Sequence, residues 1–325
     1  MEYTSLGRTA LHVSKISYGT WQFSGEWGQI KQEQWNAGKA TIRQALELGI
    51  NLFDTAQAYG FGLAERLLGE ALQPELKSQR DKIVLATKGG LRMEGDRIVR
   101  DSSVGWLRQG VEESLRALGV SSIDLYQVHW PDPNTPMEET ASALDELVRE
   151  GKIRYVGVSN FNVEQMQAFE RTRKIDTLQP PYNLFRREIE EEILPYCEAA
   201  DIGVLVYGAL AHGLLGGSFS LKTTFPPDDW RSQHESFSGE GFRRNVAVVE
   251  RLKRVAQEQG MTIAQLAVAW VLAQPAVDVA IVGARMPEQL AQTAAASEGH
   301  LTPETLQEIE SIMRGAVPIG SSAPE

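Results

Sequence analysis

The stretch that decides the fold spans residues 83–128 and has three parts: Ile83-Val84-Leu85-Ala86-Thr87, a segment of helical period over 104–118, and Leu125-Tyr126-Gln127-Val128. Two short apolar runs flanking an amphipathic segment are typical of a βαβ unit with parallel strands. The same alternation continues in both directions along the chain. The sequence therefore predicts a parallel sheet built from repeated strand–helix units.

Eight strand candidates share the short apolar pattern, at residues 16–20, 52–55, 83–87, 125–128, 155–158, 177–179, 204–207 and 279–282. Helical stretches lie between or after them, at residues 34–48, 64–72, 104–118, 137–149, 163–171, 188–199, 243–259, 263–273 and 303–314. Eight strand–helix units in about 300 residues predict a (β/α)8 TIM barrel more naturally than an open sheet. The predicted fold class is α/β.

No linker and no fixed-period repeat divides the sequence, so we expect a single barrel domain over residues 1–314. Residues 315–325 are small and polar, and we expect a flexible C-terminal tail there. Residues 3–13 predict a β-hairpin that turns at Gly7-Arg8-Thr9. This hairpin could plug the N-terminal end of the barrel, although plain packing explains it as well and is the interpretation that we prefer.

Acidic residues outnumber basic ones by 43 to 32, which gives the 325-residue chain a net charge of −11 without any cluster of Lys or Arg. Binding to a phosphate backbone needs such a basic cluster, so neither nucleic acid nor an anionic membrane is expected as a partner. A local pocket for one small phosphate-bearing cofactor stays open. Hydrophobic residues at 42% and charged residues at 23% are ordinary globular values, which excludes disorder for the bulk of the chain.

The single cysteine, Cys197, cannot form an internal disulfide, and the five histidines show no zinc-ligand spacing, so no metal site is expected. The first residues show no basic run followed by an apolar stretch, and we expect a cytoplasmic protein. The most apolar window, residues 263–284, is interrupted by Pro275 and Asp278. It predicts a buried helix, a turn and a buried strand rather than a membrane span.

Polar side chains stand where the predicted strands end, which is where a barrel of this class carries its active site: Asp54, Tyr59, Lys88, His129, Ser159, Asn160, Gln179 and Tyr207. Each has an ordinary alternative, such as a helix-capping Asp, a solvated Lys or a core His. Together, however, an acid, an amine, a phenol and an imidazole form a proton-transfer site. A Lys ammonium beside a Tyr favours phenolate and lowers a phenol pKa that starts near 10. Asp54 would keep Lys88 charged.

Three motifs resemble the signatures of the aldo-keto reductase family: Asp54-Thr55-Ala56-Gln57-Ala58-Tyr59-Gly60, Thr87-Lys88 and Gln127-Val128-His129-Trp130-Pro131. The resemblance extends over nearly the whole chain, from Gly19-Thr20-Trp21 to Ile281-Val282-Gly283-Ala284-Arg285. It implies a (β/α)8 barrel that binds NADPH in extended form without a Rossmann fold.

The resemblance also implies a catalytic tetrad of Asp54, Tyr59, Lys88 and His129. Tyr59 would protonate the carbonyl oxygen as C4 of the nicotinamide delivers hydride, and His129 would polarise or orient that oxygen. Trp21 and Trp130 would line the substrate pocket together with Tyr59 and His129.

The remaining cofactor positions come from the same resemblance. Ser159, Asn160 and Gln179 would hold the carboxamide of the nicotinamide, and Tyr207 would stack on its ring. Thr20, Trp21 and Asp54 are also expected to contact the cofactor. The loop that follows Tyr207 resembles the pyrophosphate loop of the bacterial general-stress and potassium-channel-β-like branches, and its backbone would approach phosphate through Gly208, Ala209, Leu210, Ala211 and His212.

The adenosine end departs from the common family pattern. Many members carry Lys-Ser where this chain has Gly283-Ala284, and Asn where it has Thr293. Arg285 and Gln289 remain to meet the 2′-phosphate, so we expect NADPH (and NADP+) rather than NADH.

Residues 218–241 are too long for an ordinary connection in an α/β unit and contain three Phe residues and Trp230. They predict a clasp over the ligand, for which Arg231 matches the family's arginine, or alternatively a surface insertion.

Two functions of different classes follow from the resemblance. One is an NADPH-dependent reductase of aldehydes and some ketones, and the other is a nucleotide-sensing regulatory protein like a channel β-subunit, with vestigial activity. The intact tetrad favours catalysis, and a barrel phosphate enzyme without redox chemistry would not explain it. We expect a small-molecule carbonyl substrate, with small and aromatic aldehydes preferred over steroids, and no protein partner.

Overall fold

The computed structural model describes residues 1–25 and 30–320. Within these residues the strands are β1 (Tyr3–Ser5), β2 (His12–Ser14), β3 (Ile16–Gly19), β4 (Leu52–Asp54), β5 (Val84–Gly89), β6 (Leu91–Glu94), β7 (Arg97–Arg100), β8 (Ile123–Val128), β9 (Ile153–Ser159), β10 (Thr177–Gln179), β11 (Gly203–Val206) and β12 (Val279–Gly283). The helices are α1 (Gln32–Glu47), α2 (Leu63–Ser78), α3 (Val104–Leu118), α4 (Met137–Arg149), α5 (Val163–Glu170), α6 (Ile193–Ala200), α7 (Gly239–Glu258), α8 (Ile263–Leu272), α9 (Pro287–Ala294) and α10 (Pro303–Met313).

Eight of these strands form a closed parallel barrel in the order β3, β4, β5, β8, β9, β10, β11, β12. The last strand pairs with the first, so that Gly283 lies opposite Gly19. All eight predicted strands are present, with bounds that differ by no more than two residues, and the predicted (β/α)8 TIM barrel is confirmed.

The helices cover the barrel because each carries one apolar face, and α3 shows the local reasons clearly. Its buried residues include Leu107, Val111 and Leu118, which recur at helical spacing and face the barrel. Burying each such side chain stabilises the fold by about 1.5–3 kcal/mol. Ser103 caps the first turn, and Gly119 ends the helix in the left-handed conformation at φ 69°.

The amino-terminal hairpin of β1 and β2 closes one end of the barrel. Leu6, Leu11 and Val13 form an apolar cluster with Leu52 and Leu205, which belong to the barrel strands. The backbone N–H of Arg8 donates to Asp201 O at 3.0 Å, just before β11. The hairpin therefore closes the barrel end as a plug, and the preferred interpretation, plain packing, was wrong.

A second hairpin, formed by β6 and β7, was not predicted. It follows β5 almost directly and lies outside the barrel sheet. Four of its eight strand residues are charged and only Leu91 is buried, so these strands lack the continuous apolar pattern by which the other strands were found. It stands at the carboxyl end of β5, where Lys88 lies.

Two helix predictions are corrected. The helix predicted over residues 64–72 continues to Ser78. The prediction ended too early because none of residues 73–78 is fully buried and Leu76 is the one large apolar residue among them. The helix predicted over residues 188–199 is divided into a 3-10 turn, Glu188–Glu190, and α6. Tyr182 OH and Arg187 Nε both donate to the Glu190 carboxylate. These bonds hold the 3-10 turn in place as an element separate from α6.

The flexible tail does not start at residue 315 as predicted, because residues 315–320 are packed on the barrel. Val317 N donates to Asn245 Oδ1 at 2.8 Å, and Ile319 is fully buried with its N–H on Phe185 O at 2.7 Å. The chain therefore stays packed on the barrel up to Gly320. The remaining predicted tail residues, 321–325, lie outside the described residues.

None of the helices in residues 1–25 and 30–320 is long and apolar enough to cross a membrane. The apolar window at residues 263–284 forms α8 and β12, as predicted.

The plug generates a stability prediction. Gly7 has φ 46° and lies so close to the Gly203 backbone that an added Cβ would collide with it, whereas Gly95 has φ 65° and open space around it. Gly95→Ala should cost about 1–2 kcal/mol, the strain of a left-handed residue. Gly7→Ala should cost that amount and a steric term besides, of about 1–3 kcal/mol. The two thermal unfolding midpoints measure the difference, and equal midpoints would show that the plug tolerates displacement.

Candidate active site

A buried ion pair lies where β4 and β5 end side by side. Lys88 Nζ donates to Asp54 Oδ1 at 2.6 Å and to Thr55 O at 2.9 Å, and the Lys88 side chain is only 1% exposed. Burial by itself would lower the pKa of Lys88, but the neighbouring Asp54 and Tyr59 raise it above its ordinary value. The ammonium therefore stays charged at neutral pH.

Tyr59 meets this ammonium from the loop after β4. Lys88 Nζ lies 3.4 Å from Tyr59 OH and 5.0 Å from the centre of the ring. The loop itself is fixed to β5, because Gln57 N donates to Lys88 O at 2.9 Å. Lys88 acts as the donor to the phenol oxygen, which leaves the Tyr59 O–H available to a substrate.

The pKa of Tyr59 corrects the sequence-based expectation. Burial raises this pKa above its ordinary value, and the Lys88 charge, which lowers it, does not compensate. Asp54 adds to the increase. Tyr59 is consequently a protonated phenol at neutral pH.

His129 completes the cluster from the end of β8. Its ring packs edge-to-face on Tyr59, with the ring centres 5.7 Å apart. Burial and the Lys88 charge lower the pKa of His129 well below its ordinary value, so its imidazole is neutral. Its backbone is held by a bond from His129 N to Gly89 O at 2.9 Å. The four predicted tetrad residues therefore lie together at one end of the barrel.

Polar residues from β9 and β10 support this cluster. Gln179 Nε2 donates to the second Asp54 oxygen, Oδ2, at 2.9 Å, and Ser159 Oγ donates to Gln179 O at 2.7 Å. Asn160 Nδ2 donates to His129 O at 3.2 Å, and Asn160 Oδ1 accepts from Tyr207 OH at 3.0 Å. The structure thus brings the predicted carboxamide-holding residues and Tyr207 next to the tetrad.

The rim of this end carries the predicted tryptophans. Trp21 is 62% exposed, and the preceding Thr20 is fully buried with its N–H on Asp54 O at 3.0 Å. Trp130 is half-buried and lies beneath the guanidinium of Arg100, whose Cζ is 4.7 Å from the ring centre. Arg100 was not among the predicted site residues, because the hairpin that carries it was not predicted.

With this geometry established, comparison with known proteins identifies the family. Residues 15–314 match the model of the aldo/keto reductase family. The chain belongs to this family. It is 41% identical over 324 residues to an aldo-keto reductase of Bacillus subtilis, covering 98% of this chain and 96% of that protein. It is 32% identical over 330 residues to a probable voltage-gated potassium channel subunit beta of Oryza sativa, covering 97% of each.

Solved structures agree with this assignment. A glycerol dehydrogenase from Gluconobacter oxydans superposes with a TM-score of 0.91 at 39% identity, covering 99% of both chains. An aldo-keto reductase from Bacillus halodurans, solved in its holo form, superposes with a TM-score of 0.79 at 29% identity, covering 98% of both. The protein is thus an aldo-keto reductase, in a family of oxidoreductases that use nicotinamide cofactors.

The loop after β11 turns through a run of residues with positive φ. Gly208, Ala211, His212 and Gly213 all have positive φ, between 49° and 94°, so the chain turns sharply over these residues. Ala209 and Ala211 are buried, and small side chains leave the backbone N–H groups accessible to an anion. The predicted pyrophosphate residues, Gly208 to His212, therefore form one compact turn.

Residues 218–241 pack directly on that turn. Arg231 Nη1 donates to His212 O at 3.0 Å, while Asp229 holds the same guanidinium through Nη2 at 2.6 Å. Trp230 packs edge-to-face on the His212 ring with the ring centres 4.9 Å apart. The Phe225 ring lies under the Arg231 guanidinium, with Arg231 Cζ 4.5 Å from the ring centre. These contacts hold the segment against the turn, and its role as a clasp over a ligand stays a prediction.

The predicted adenosine residues gather where β12 leads into α9. Arg285 N donates to Gln289 Oε1 at 3.0 Å, and Thr293 Oγ1 donates to Gln289 O at 3.0 Å. Ala284 is buried, and its carbonyl accepts from a tyrosine of β3. The Gln22 side chain fills the space beside Gly283 that a Cβ would occupy. Arg285 is exposed, and no carboxylate of residues 1–25 or 30–320 pairs with it.

The donor set suits a nicotinamide cofactor better than a metal. In the part of the chain that the structure describes, no group of His, Cys, Asp and Glu could hold a metal ion. The Tyr59 O–H and the turn at 208–213 with its positive φ angles instead fit the groups of a nicotinamide site, a carbonyl and a pyrophosphate.

The buried ion pair generates a double-mutant prediction. Asp54→Asn or Lys88→Met alone should lower the free energy of unfolding by about 3–5 kcal/mol, because each leaves an uncompensated buried charge. The double variant should cost much less than the sum of the two. The exposed pair of Lys39 and Glu70, joined at 2.7 Å, is the control and should show a coupling below about 1 kcal/mol. Additive losses at positions 54 and 88 would contradict the interaction.

Proposed function

We propose that this aldo-keto reductase uses NADPH to reduce aldehydes and some ketones to alcohols, with hydride transfer from nicotinamide C4 and Tyr59 as the proton donor. The observation that carries this proposal is the line of contacts from Asp54 to Lys88 to Tyr59, with a neutral His129 beside the phenol. A bound nicotinamide cofactor would supply the hydride.

Tyr59 would give its proton to the oxygen of the substrate carbonyl. In the resting site burial keeps the phenol protonated, with its pKa above the ordinary value. As the proton leaves, negative charge grows on the phenol oxygen, which lies 3.4 Å from Lys88 Nζ. The ammonium therefore interacts more strongly with the transition state than with the ground state, which is how a fixed charge accelerates a reaction.

His129 and Asp54 would act on either side of this proton transfer. The neutral imidazole can donate an N–H to the carbonyl oxygen, which orients the oxygen towards Tyr59 without competing as an acid. Asp54 holds Lys88 charged and in place, and Gln179 fixes the second oxygen of Asp54. Trp21 and Trp130 would line the pocket for the rest of the substrate.

The cofactor would extend from this site along the barrel mouth. Ser159, Asn160 and Gln179 would hold its carboxamide, with Tyr207 against the nicotinamide ring. The turn from Gly208 to His212 would receive the pyrophosphate, with Arg231 above it. At the far end Arg285, Gln289 and Thr293 would bind the 2′-phosphate, and the uncompensated charge of Arg285 supports NADPH over NADH.

One similar structure suggests that the reaction can also run in the direction of alcohol oxidation. The Gluconobacter oxydans protein is described as a glycerol dehydrogenase, which oxidises an alcohol. The same Tyr59 could accept a proton from an alcohol in the reverse direction, by microscopic reversibility. The alternative role, a nucleotide-sensing regulatory protein, draws on the likeness to the rice channel subunit. The complete Asp54, Lys88 and Tyr59 arrangement favours catalysis.

Replacing Tyr59 by Phe tests the proton donor. Tyr59→Phe removes only the phenol O–H and should lower kcat for aldehyde reduction by about 10²–10⁴-fold or more, which is the usual contribution of a general acid. NADPH binding, measured by cofactor fluorescence, should stay nearly intact. Rates come from the loss of NADPH absorbance.

Tyr3→Phe is the matched control, since Tyr3 is half-exposed in the plug hairpin, where its O–H donates to Gly49 O at 2.7 Å. It should leave the rate unchanged. A Tyr59→Phe variant that kept most of the wild-type rate would show that another group donates the proton.

Replacing Arg285 by Ala tests the cofactor preference. A charge-assisted bond to a phosphate is worth about 1.5–3 kcal/mol, so Arg285→Ala should weaken NADPH binding by roughly one to two powers of ten. NADH lacks that phosphate, and its binding should change little. Titration of both cofactors measures the effect, with the exposed Arg149→Ala in α4 as the control. Equal losses for NADPH and NADH would contradict this role of Arg285.

A further inference from the structure

Arg100 lies at the barrel mouth between the strands that carry Lys88 and His129. It is the last residue of β7 and pairs in register with Leu91, three residues after Lys88. On its other side Arg100 Nη1 donates to Pro131 O at 3.3 Å, two residues after His129. Since β5 and β8 are neighbours in the barrel, Arg100 bridges the two loops that leave the site.

The guanidinium of Arg100 is held in a defined orientation. It lies over the ring of Trp130, with Cζ 4.7 Å from the ring centre, in a cation–π contact. The bond to Pro131 O uses one N–H of Nη1 and fixes the group further. A guanidinium has five N–H donors, so most of them remain open to a ligand. A group fixed in this way loses little conformational freedom when it binds an anion.

The charge of Arg100 is not neutralised by a nearby acid. Within residues 1–25 and 30–320 no carboxylate forms an ion pair with it. The acids next to it in sequence and space are already bonded elsewhere, Asp101 to Arg92 Nε at 2.8 Å and Asp132 to Thr135 Oγ1 at 2.6 Å. A positive charge without a carboxylate partner therefore stands at the barrel mouth of a protein whose net charge is −11.

We propose that Arg100 is an anion-recognition residue of the substrate pocket, and that the carbonyl substrates include compounds with a carboxylate remote from the reacting carbonyl. A carboxylate matches the planar donor edge of a guanidinium and can bind it through two parallel hydrogen bonds. This inference rests on the proposed reductase function. The carboxylate takes no part in the reaction, in which a C–H bond forms from the hydride and an O–H bond from the Tyr59 proton.

The test compares two aldehydes that differ only in charge, 4-carboxybenzaldehyde and 4-formylbenzamide. We expect wild-type kcat/KM with NADPH to be about tenfold higher for the carboxylate, in line with a charge-assisted hydrogen bond at an exposed site. Arg100→Gln should lower that ratio about tenfold. Arg97→Gln, at an exposed position of the same strand β7, is the matched control and should leave the ratio unchanged.

Salt gives a second readout on the wild-type protein. Exposed charges are screened beyond about 10 Å at 0.1 M ionic strength and more strongly above it. The carboxylate-to-carboxamide ratio should therefore fall as salt rises in the wild type and in Arg97→Gln, but hardly in Arg100→Gln.

An unchanged carboxylate-to-carboxamide ratio in Arg100→Gln overturns the inference. If both rates fall equally, Arg100 only holds Trp130 in place and does not bind the carboxylate. If the wild type reduces neither aldehyde, the proposed function is wrong. Calorimetric binding of the two aldehydes to wild type and Arg100→Gln then decides the role of Arg100 without turnover, since a preference for the carboxylate that Arg100→Gln abolishes supports it and equal binding rejects it.

Discussion

A positive charge buried at the end of a strand persists only with a negative charge beside it, and the site is organised around that constraint. Lys88 is nearly inaccessible to water, so Asp54 must lie within 2.6 Å of it. Asp54 in turn has a second oxygen to satisfy, which places Gln179. Two of the three N–H donors of Lys88 bond Asp54 and Thr55, and the third points to Tyr59 OH. One ion pair therefore fixes side chains from three strands and a loop.

Much of this arrangement could be predicted from the sequence, because it depends on strand order and strand ends. Parallel strands in a barrel all finish at the same end, so residues that close predicted strands must meet there. Asp54, Lys88, His129 and Gln179 were found by that rule and do lie together. The eight strands were themselves recognisable because buried parallel strands are apolar on both faces.

What the sequence could not provide depends on burial and on neighbours distant in the chain. The direction of the Tyr59 pKa was wrong, since the effect of the Lys88 charge could be inferred from residue types but the depth of burial could not. The hairpin of β6 and β7 has charged residues at half of its strand positions and one buried residue, Leu91, so it lacks the apolar run that marks a barrel strand. Residues 315–320 are held by Asn245 and Phe185, which no local pattern connects to them.

The pairing of β12 with β3 also governs how the protein can fold. The barrel closes only when β12 pairs with β3, which brings Gly283 opposite Gly19. These residues are more than 260 positions apart in the chain, so the pairing has a large entropic cost of loop closure. During synthesis the first strands leave the ribosome long before their final partner exists. Until then the edges of β3 and β11 are unpaired, and such edges are templates for aggregation. Closure of the barrel is therefore a late, non-local step, and two strand edges stay exposed until β12 has been made.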